Sequence, residues 1–72
     1  MRELDIVYLG QRVTGFNSTA YSGESGTVVH VYPSGTAVEV EFQNPNRVIT
    51  VPLVAIIQYH SPEGGFVDGP VQ

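Results

Sequence analysis

From Val38 to Phe42 apolar and acidic residues alternate without a break, with Glu39 and Glu41 set between Val38, Val40 and Phe42. A period of two places the apolar trio on one face of a strand and both glutamates on the other, so Thr36 to Phe42 predicts a half-buried strand. Four further runs rich in β-branched and aromatic residues predict strands at Leu4 to Leu9, Thr27 to Tyr32, Arg47 to Val51 and Ile56 to Tyr59.

The residues between these runs define the connections. Pro33-Ser34-Gly35 is a tight turn in which proline sets one φ and glycine is free to take a positive one. Asn44-Pro45-Asn46 makes a second turn, and Pro52 ends the fourth strand because it cannot donate to a ladder. Leu53-Val54-Ala55 is too short for an α-helix and suits one turn of 3₁₀-helix. Gly26, heading the second strand, tolerates backbone angles or a close strand approach that a side chain would forbid.

Gly10 to Ser25 scatters Val13, Phe16, Ala20 and Tyr21 among glycine, serine, threonine and asparagine, the composition of a long loop. Long loops in compact domains are uncommon and often functional. No 3.6-residue apolar period persists anywhere. The expected fold is therefore all-β: a small five-stranded SH3-like barrel with a long first loop and a 3₁₀ turn before the last strand. Residues 1–60 form that domain, and 61–72, with Pro62, Gly64, Gly65, Gly69 and Pro70, form a flexible tail.

Composition narrows the function classes. A chain of 72 residues has room for one thin core and no enclosed cofactor site. Cysteine is absent, which removes disulfides, thiolate nucleophiles and sulfur-ligated zinc together. Seven acids stand against three arginines (Arg2, Arg12, Arg47) and no lysine, for a net charge of -4. Nucleic-acid binding needs several cations, and an anionic membrane is disfavoured by the same sign. With no apolar run long enough to span a bilayer and two acids in the first five residues, a cytoplasmic protein is expected.

Two levels of resemblance follow from these residues. Gly26-Thr27-Val28-Val29 with Val31, then Val38, Val40 and Phe42, resembles the KOW-type and related SH3-like barrels. More closely, Glu3 to Val7, Gly26 to Tyr32, Ala37 to Phe42 and Ile49 to Leu53 resemble a family of short bacterial domains of unknown function, over residues 3 to 59. The resemblance implies a small stand-alone barrel, with an antitoxin, immunity or phage-inhibitor role among the functions to expect. The first loop, Gln11 to Glu24, lacks that family's acidic and leucine-containing approach to the glycine.

Chemistry-bearing motifs are sparse. His30 and His60 are the only histidines, about thirty residues apart, with no ligand spacing for a metal. Ser22, Ser25 and Ser34 lie in turn sequences without a nucleophile elbow. Ser22-Gly23-Glu24-Ser25-Gly26 leads into a strand, so it lacks the lysine and helix of a phosphate cradle. No catalytic residue, metal or cofactor is expected. The leads are Phe16 and Tyr21, two large rings in a polar loop, the glutamates Glu39 and Glu41, and Phe66 in the tail. Together they predict a non-catalytic module that binds a protein with a basic surface. The alternatives are a KOW-like RNA module using Arg12 and Arg47, and a subunit that pairs with itself through open strand edges.

Overall fold

The computed structural model describes residues 1–68, with side chains through residue 63. The fold is all-β, and its one helical element among the described residues is the 3₁₀ turn Leu53–Ala55. Among the described residues there are eight strands: β1 (Ile6–Leu9), β2 (Val13–Thr14), β3 (Thr19–Ala20), β4 (Ser25–Val31), β5 (Ala37–Phe42), β6 (Arg47–Pro52), β7 (Ile56–Ser61) and β8 (Gly64–Asp68). Six of them form one antiparallel sheet in the order β6-β5-β4-β1-β7-β8, while β2 and β3 form a separate hairpin. The six-stranded sheet is not closed into a barrel.

The five strands expected from the sequence correspond to β1, β4, β5, β6 and β7, which are neighbours in the sheet. Three strands go beyond that expectation. The loop from Gly10 to Ser25 contains the β2–β3 hairpin, whose two-residue strands are too short to show alternation. The run after Ser61 returns as β8 beside β7, with Tyr59 paired to Val67 and His60 to Phe66. A boundary at residue 60 therefore falls inside β7, and Gly64–Asp68 is a strand where a flexible tail is expected. Residues 69–72 lie outside the described residues.

At the other end, the first strand starts later than the sequence suggests. Leu4 has a positive φ of 75° and belongs to a turn. Asp5 is buried there, where its carboxylate accepts the Arg2 backbone N–H at 2.9 Å. This local bond shapes a turn, while Leu4 N–H still donates to the Val28 carbonyl at 2.7 Å and Val28 N–H to the Asp5 carbonyl at 2.9 Å, tying the turn to β4.

β5 shows the alternation in full, with Val38, Val40 and Phe42 buried and Ala37, Glu39 and Glu41 half-buried. The same core takes Val7 and Leu9 from β1, Val28 from β4, Ile49 and Val51 from β6, and Ile56 from β7. Val13 and Ala20 close it from the hairpin and Ala55 from the 3₁₀ turn. Phe42 is its largest fully buried side chain.

β4 joins the two halves, pairing with β1 through Ser25 to Thr27 and with β5 through Thr27 to Val31. Gly26 sits where they meet. A Cβ there would lie 2.5 Å from Val40 Cγ1 and 2.7 Å from the Glu41 carbonyl oxygen, so of the two readings the sequence allows, close strand approach is the one present. A bulge between Val28 and His30 leaves Val29 unpaired with β5 and sets His30 opposite Glu39, so both Val29 and His30 are exposed. Among the described residues no helix is long and apolar enough to cross a membrane.

Candidate functional site

The hairpin carries the first candidate surface. Its base is anchored by the buried Val13 and Ala20, and Gly15 packs so closely over Ile49 that a Cβ would lie 3.1 Å from Ile49 Cγ2. Gly15 N–H donates to the Ser18 carbonyl at 2.7 Å, closing a tight turn with Phe16 and Asn17 at its tip. Phe16 is consequently 100% exposed, and Tyr21, past β3, is 58% exposed.

One cation holds this loop in place. The Arg47 guanidinium donates from Nε to the Thr19 carbonyl (3.3 Å) and from Nη1 to the carbonyls of Gln43 (3.1 Å) and Pro45 (2.7 Å). From Nη2 it donates to Glu24 Oε1 at 2.6 Å, and its carbon lies 5.5 Å from the centre of the Phe42 ring. Arg47 thereby ties the hairpin, the approach to β4 and the β5–β6 turn, which contains the cis Asn44–Pro45 peptide, to one point. Glu24 Oε2 accepts the Tyr21 backbone N–H at 2.8 Å. That bond first, and the Arg47 contact second, hold the Glu24 carboxyl below the usual carboxylate range.

Between hairpin and turn lies an open groove of about 440 Å³, with Asn17, Ser18 and Tyr21 on one wall and Asn44 and Pro45 on the other. Its lining is mostly neutral, because Arg47 and Glu24 compensate each other.

The second candidate surface is the outward face of β5. Glu39 accepts the Tyr32 hydroxyl at 2.5 Å and the Thr50 hydroxyl at 2.9 Å. Hydrogen bonding to Glu39 raises the Tyr32 pKa above the ordinary phenol value. Glu41 accepts from the Asn46 side-chain amide at 3.2 Å once that amide is oriented to donate. His30 meets Tyr32 edge-on at 5.0 Å.

The sequence-predicted residues do not form one patch. Phe16 and Tyr21 belong to the hairpin that covers Ile49 from the core side, whereas Glu39 and Glu41 alternate onto the opposite face of the sheet. Phe66 lies on β8 opposite His60, and its side chain lies outside the described residues. Sequence reasoning missed the Arg47–Glu24 pair, because 23 residues separate the partners and nothing local marks either. The histidines lie on different strands, His30 against Tyr32 and His60 with Nε2 3.3 Å from the Tyr8 hydroxyl. No family model, no curated protein and no solved structure matches the chain.

Proposed function

We propose that this chain is a non-catalytic protein-binding module of the SH3-like type that presents Phe16 at the hairpin tip, and Tyr21 past β3, to a partner bearing a basic surface. The sheet order β6-β5-β4-β1-β7, a long first loop folded into a hairpin, and the 3₁₀ turn before β7 support the SH3-like reading. An antitoxin, an immunity factor and a phage-encoded inhibitor all fit this chemistry.

The observation that carries the reading is a fully exposed phenylalanine on a hairpin that one Arg47 hydrogen bond, to the Thr19 carbonyl, ties to the β5–β6 turn and to Glu24. Burying such a ring in a partner's pocket stabilises a complex by about 2–3 kcal/mol. A pinned loop loses little conformational freedom on docking, so most of that free energy appears as affinity. The net charge of -4 favours a basic partner. The RNA reading is weakened because Arg47 directs its donors inward.

The test captures partners from native lysate of the protein's own cells on wild-type and Phe16→Ala protein in parallel, with quantitative mass spectrometry of the bound fraction. A protein retained by the wild type and reduced at least about tenfold on the variant is the expected result. Equal capture on both, or none on either, overturns it.

A further inference from the structure

β6 is the last strand of the sheet on its side, so among the described residues no strand is hydrogen-bonded along one of its edges. The register shows which backbone groups face that edge. Leu53 N–H donates to the Thr36 carbonyl at 3.0 Å, which makes Leu53 and Thr36 a hydrogen-bonded pair. In steps of two along the same register, Val51 with Val38, Ile49 with Val40 and Arg47 with Phe42 are the pairs that exchange bonds with β5. Val48 and Thr50 alternate with these, so their N–H and C=O groups point away from β5.

This edge is poorly protected. Natural edge strands carry lysines, inward charges, prolines or bulges that discourage pairing. Between Arg47, engaged with the hairpin and turn, and Pro52, the strand reads Val48-Ile49-Thr50-Val51 with no charge and no break in register. Val48 is 57% exposed, and Thr50 is exposed as well.

We propose that the β6 edge accepts an extended segment of a basic protein as an added antiparallel strand, with Lys or Arg at alternate positions opposite Val48 and Thr50. The register places Glu41 across from Val48 and Glu39 across from Thr50 on the same outward face. An added strand lies about 10 Å from β5, two strand spacings away. A lysine or arginine spans that gap to a glutamate leaning towards it, and Glu39 already leans over β6 to accept from Thr50. The aliphatic stem of the incoming side chain covers the exposed Val48. A second copy of this chain fits less well, because it has no lysine and its β6 would bring a second row of glutamates to the junction. The proposal deepens the protein-binding reading but stands on residues that reading does not use.

The probe is a capped nine-residue peptide alternating valine and lysine, followed by NMR amide exchange on the intact protein. Binding is expected to slow exchange at Val48 and Thr50 at least about tenfold, the mark of backbone pairing. N-methylation of the peptide's lysines, whose N–H groups face β6 in this register, abolishes binding, while N-methylation of its valines does not. Glu39→Gln with Glu41→Gln weakens binding roughly three- to tenfold. Phe16→Ala leaves peptide binding unchanged, so failure of the hairpin reading and failure of this one are told apart. The proposal is overturned by absent binding, by binding without protection of those two amides, or by equal binding of the lysine-methylated peptide. Protection of the same amides in concentrated peptide-free protein also overturns it, by assigning the edge to a second copy.

Discussion

Arg47→Ala removes a four-way tie, and its cost can be worked from the contacts. Three lost acceptors are backbone carbonyls and the fourth is a carboxylate. The Arg47 side chain is 11% exposed and that of Glu24 28%, so water replaces part of what is lost. A charge-assisted bond contributes about 1.5–3 kcal/mol in a buried site and well under that near the surface. Counting the carbonyl bonds at about 0.5 kcal/mol each and the ion pair at about 1.5 kcal/mol gives a loss of about 3 kcal/mol. Arg47→Lys keeps the charge but not the planar fork, and loses about half as much. Urea unfolding followed by far-ultraviolet circular dichroism measures both variants. With a slope near 1 kcal/mol per molar for so small a domain, the Arg47→Ala midpoint falls by about 3 M.

The pH dependence provides a second reading of the same contact. The folded-state pKa of Glu24 is depressed, so its contribution is present above the unfolded carboxylate pKa and lost as pH falls through the folded value. The ion-pair part of the difference between wild type and Arg47→Ala therefore shrinks between pH 5 and the lower folded pKa. The carbonyl part persists, because it does not titrate. A loss below about 0.5 kcal/mol at neutral pH would refute the idea that Arg47 pins the hairpin. A difference that stays constant down to pH 2 would refute the assignment of part of it to Glu24.

Three other outcomes are expected. Gly26→Ala drives a Cβ against Val40 and the Glu41 carbonyl, of which the backbone atom cannot yield, so it costs about 3 kcal/mol and lowers Tm by at least about 12 °C in a thermal melt. Ultraviolet titration near 295 nm should find Tyr32 ionising above the ordinary phenol value, and Glu39→Gln should bring it back towards that value. The sign is that of a raised pKa: the Tyr32 contact supports the fold below the unfolded phenol pKa and is lost as pH rises through the folded one. Phe16→Ala, which removes no buried contact, should keep stability within about 0.5 kcal/mol of wild type by the same melt, so lost capture reports binding.

Strands with a strong local signal could be read from the sequence. The alternation from Val38 to Phe42 gives β5 and its buried face, and Pro52 followed by three residues before Ile56 gives the 3₁₀ turn at Leu53–Ala55. Features set by distant contacts could not. Thr19 and Ala20 form β3 only because Val13 and Thr14 lie opposite them and Ala20 has a core to enter. Gly64 and Gly65 have no strand preference of their own, and β8 forms on the edge that β7 offers. Phe16 and Tyr21 stood out as large rings in a polar loop, and both are exposed. Their separation from Glu39 and Glu41 needed the hairpin's position over Ile49, which no local pattern encodes.

Arg47 also bears on the choice among binding readings. A nucleic-acid surface gains affinity by releasing counterions, roughly in proportion to the cations it presents to phosphate. With Arg47 engaged by three carbonyls and Glu24, the exposed arginines are Arg2 and Arg12, against a charge of -4 for the whole chain. Two such contacts leave a salt dependence too shallow for useful affinity. One of the Arg47 bonds, to the Thr19 carbonyl, tethers the hairpin that carries Phe16, so that tether and the scarcity of outward positive charge have one cause. A loop that displayed Arg47 to a phosphate would have to release Glu24 and the β5–β6 turn first, at a cost of the size estimated for Arg47→Ala. Docking Phe16 into a protein pocket requires no such release, and that asymmetry favours a protein partner over a nucleic acid.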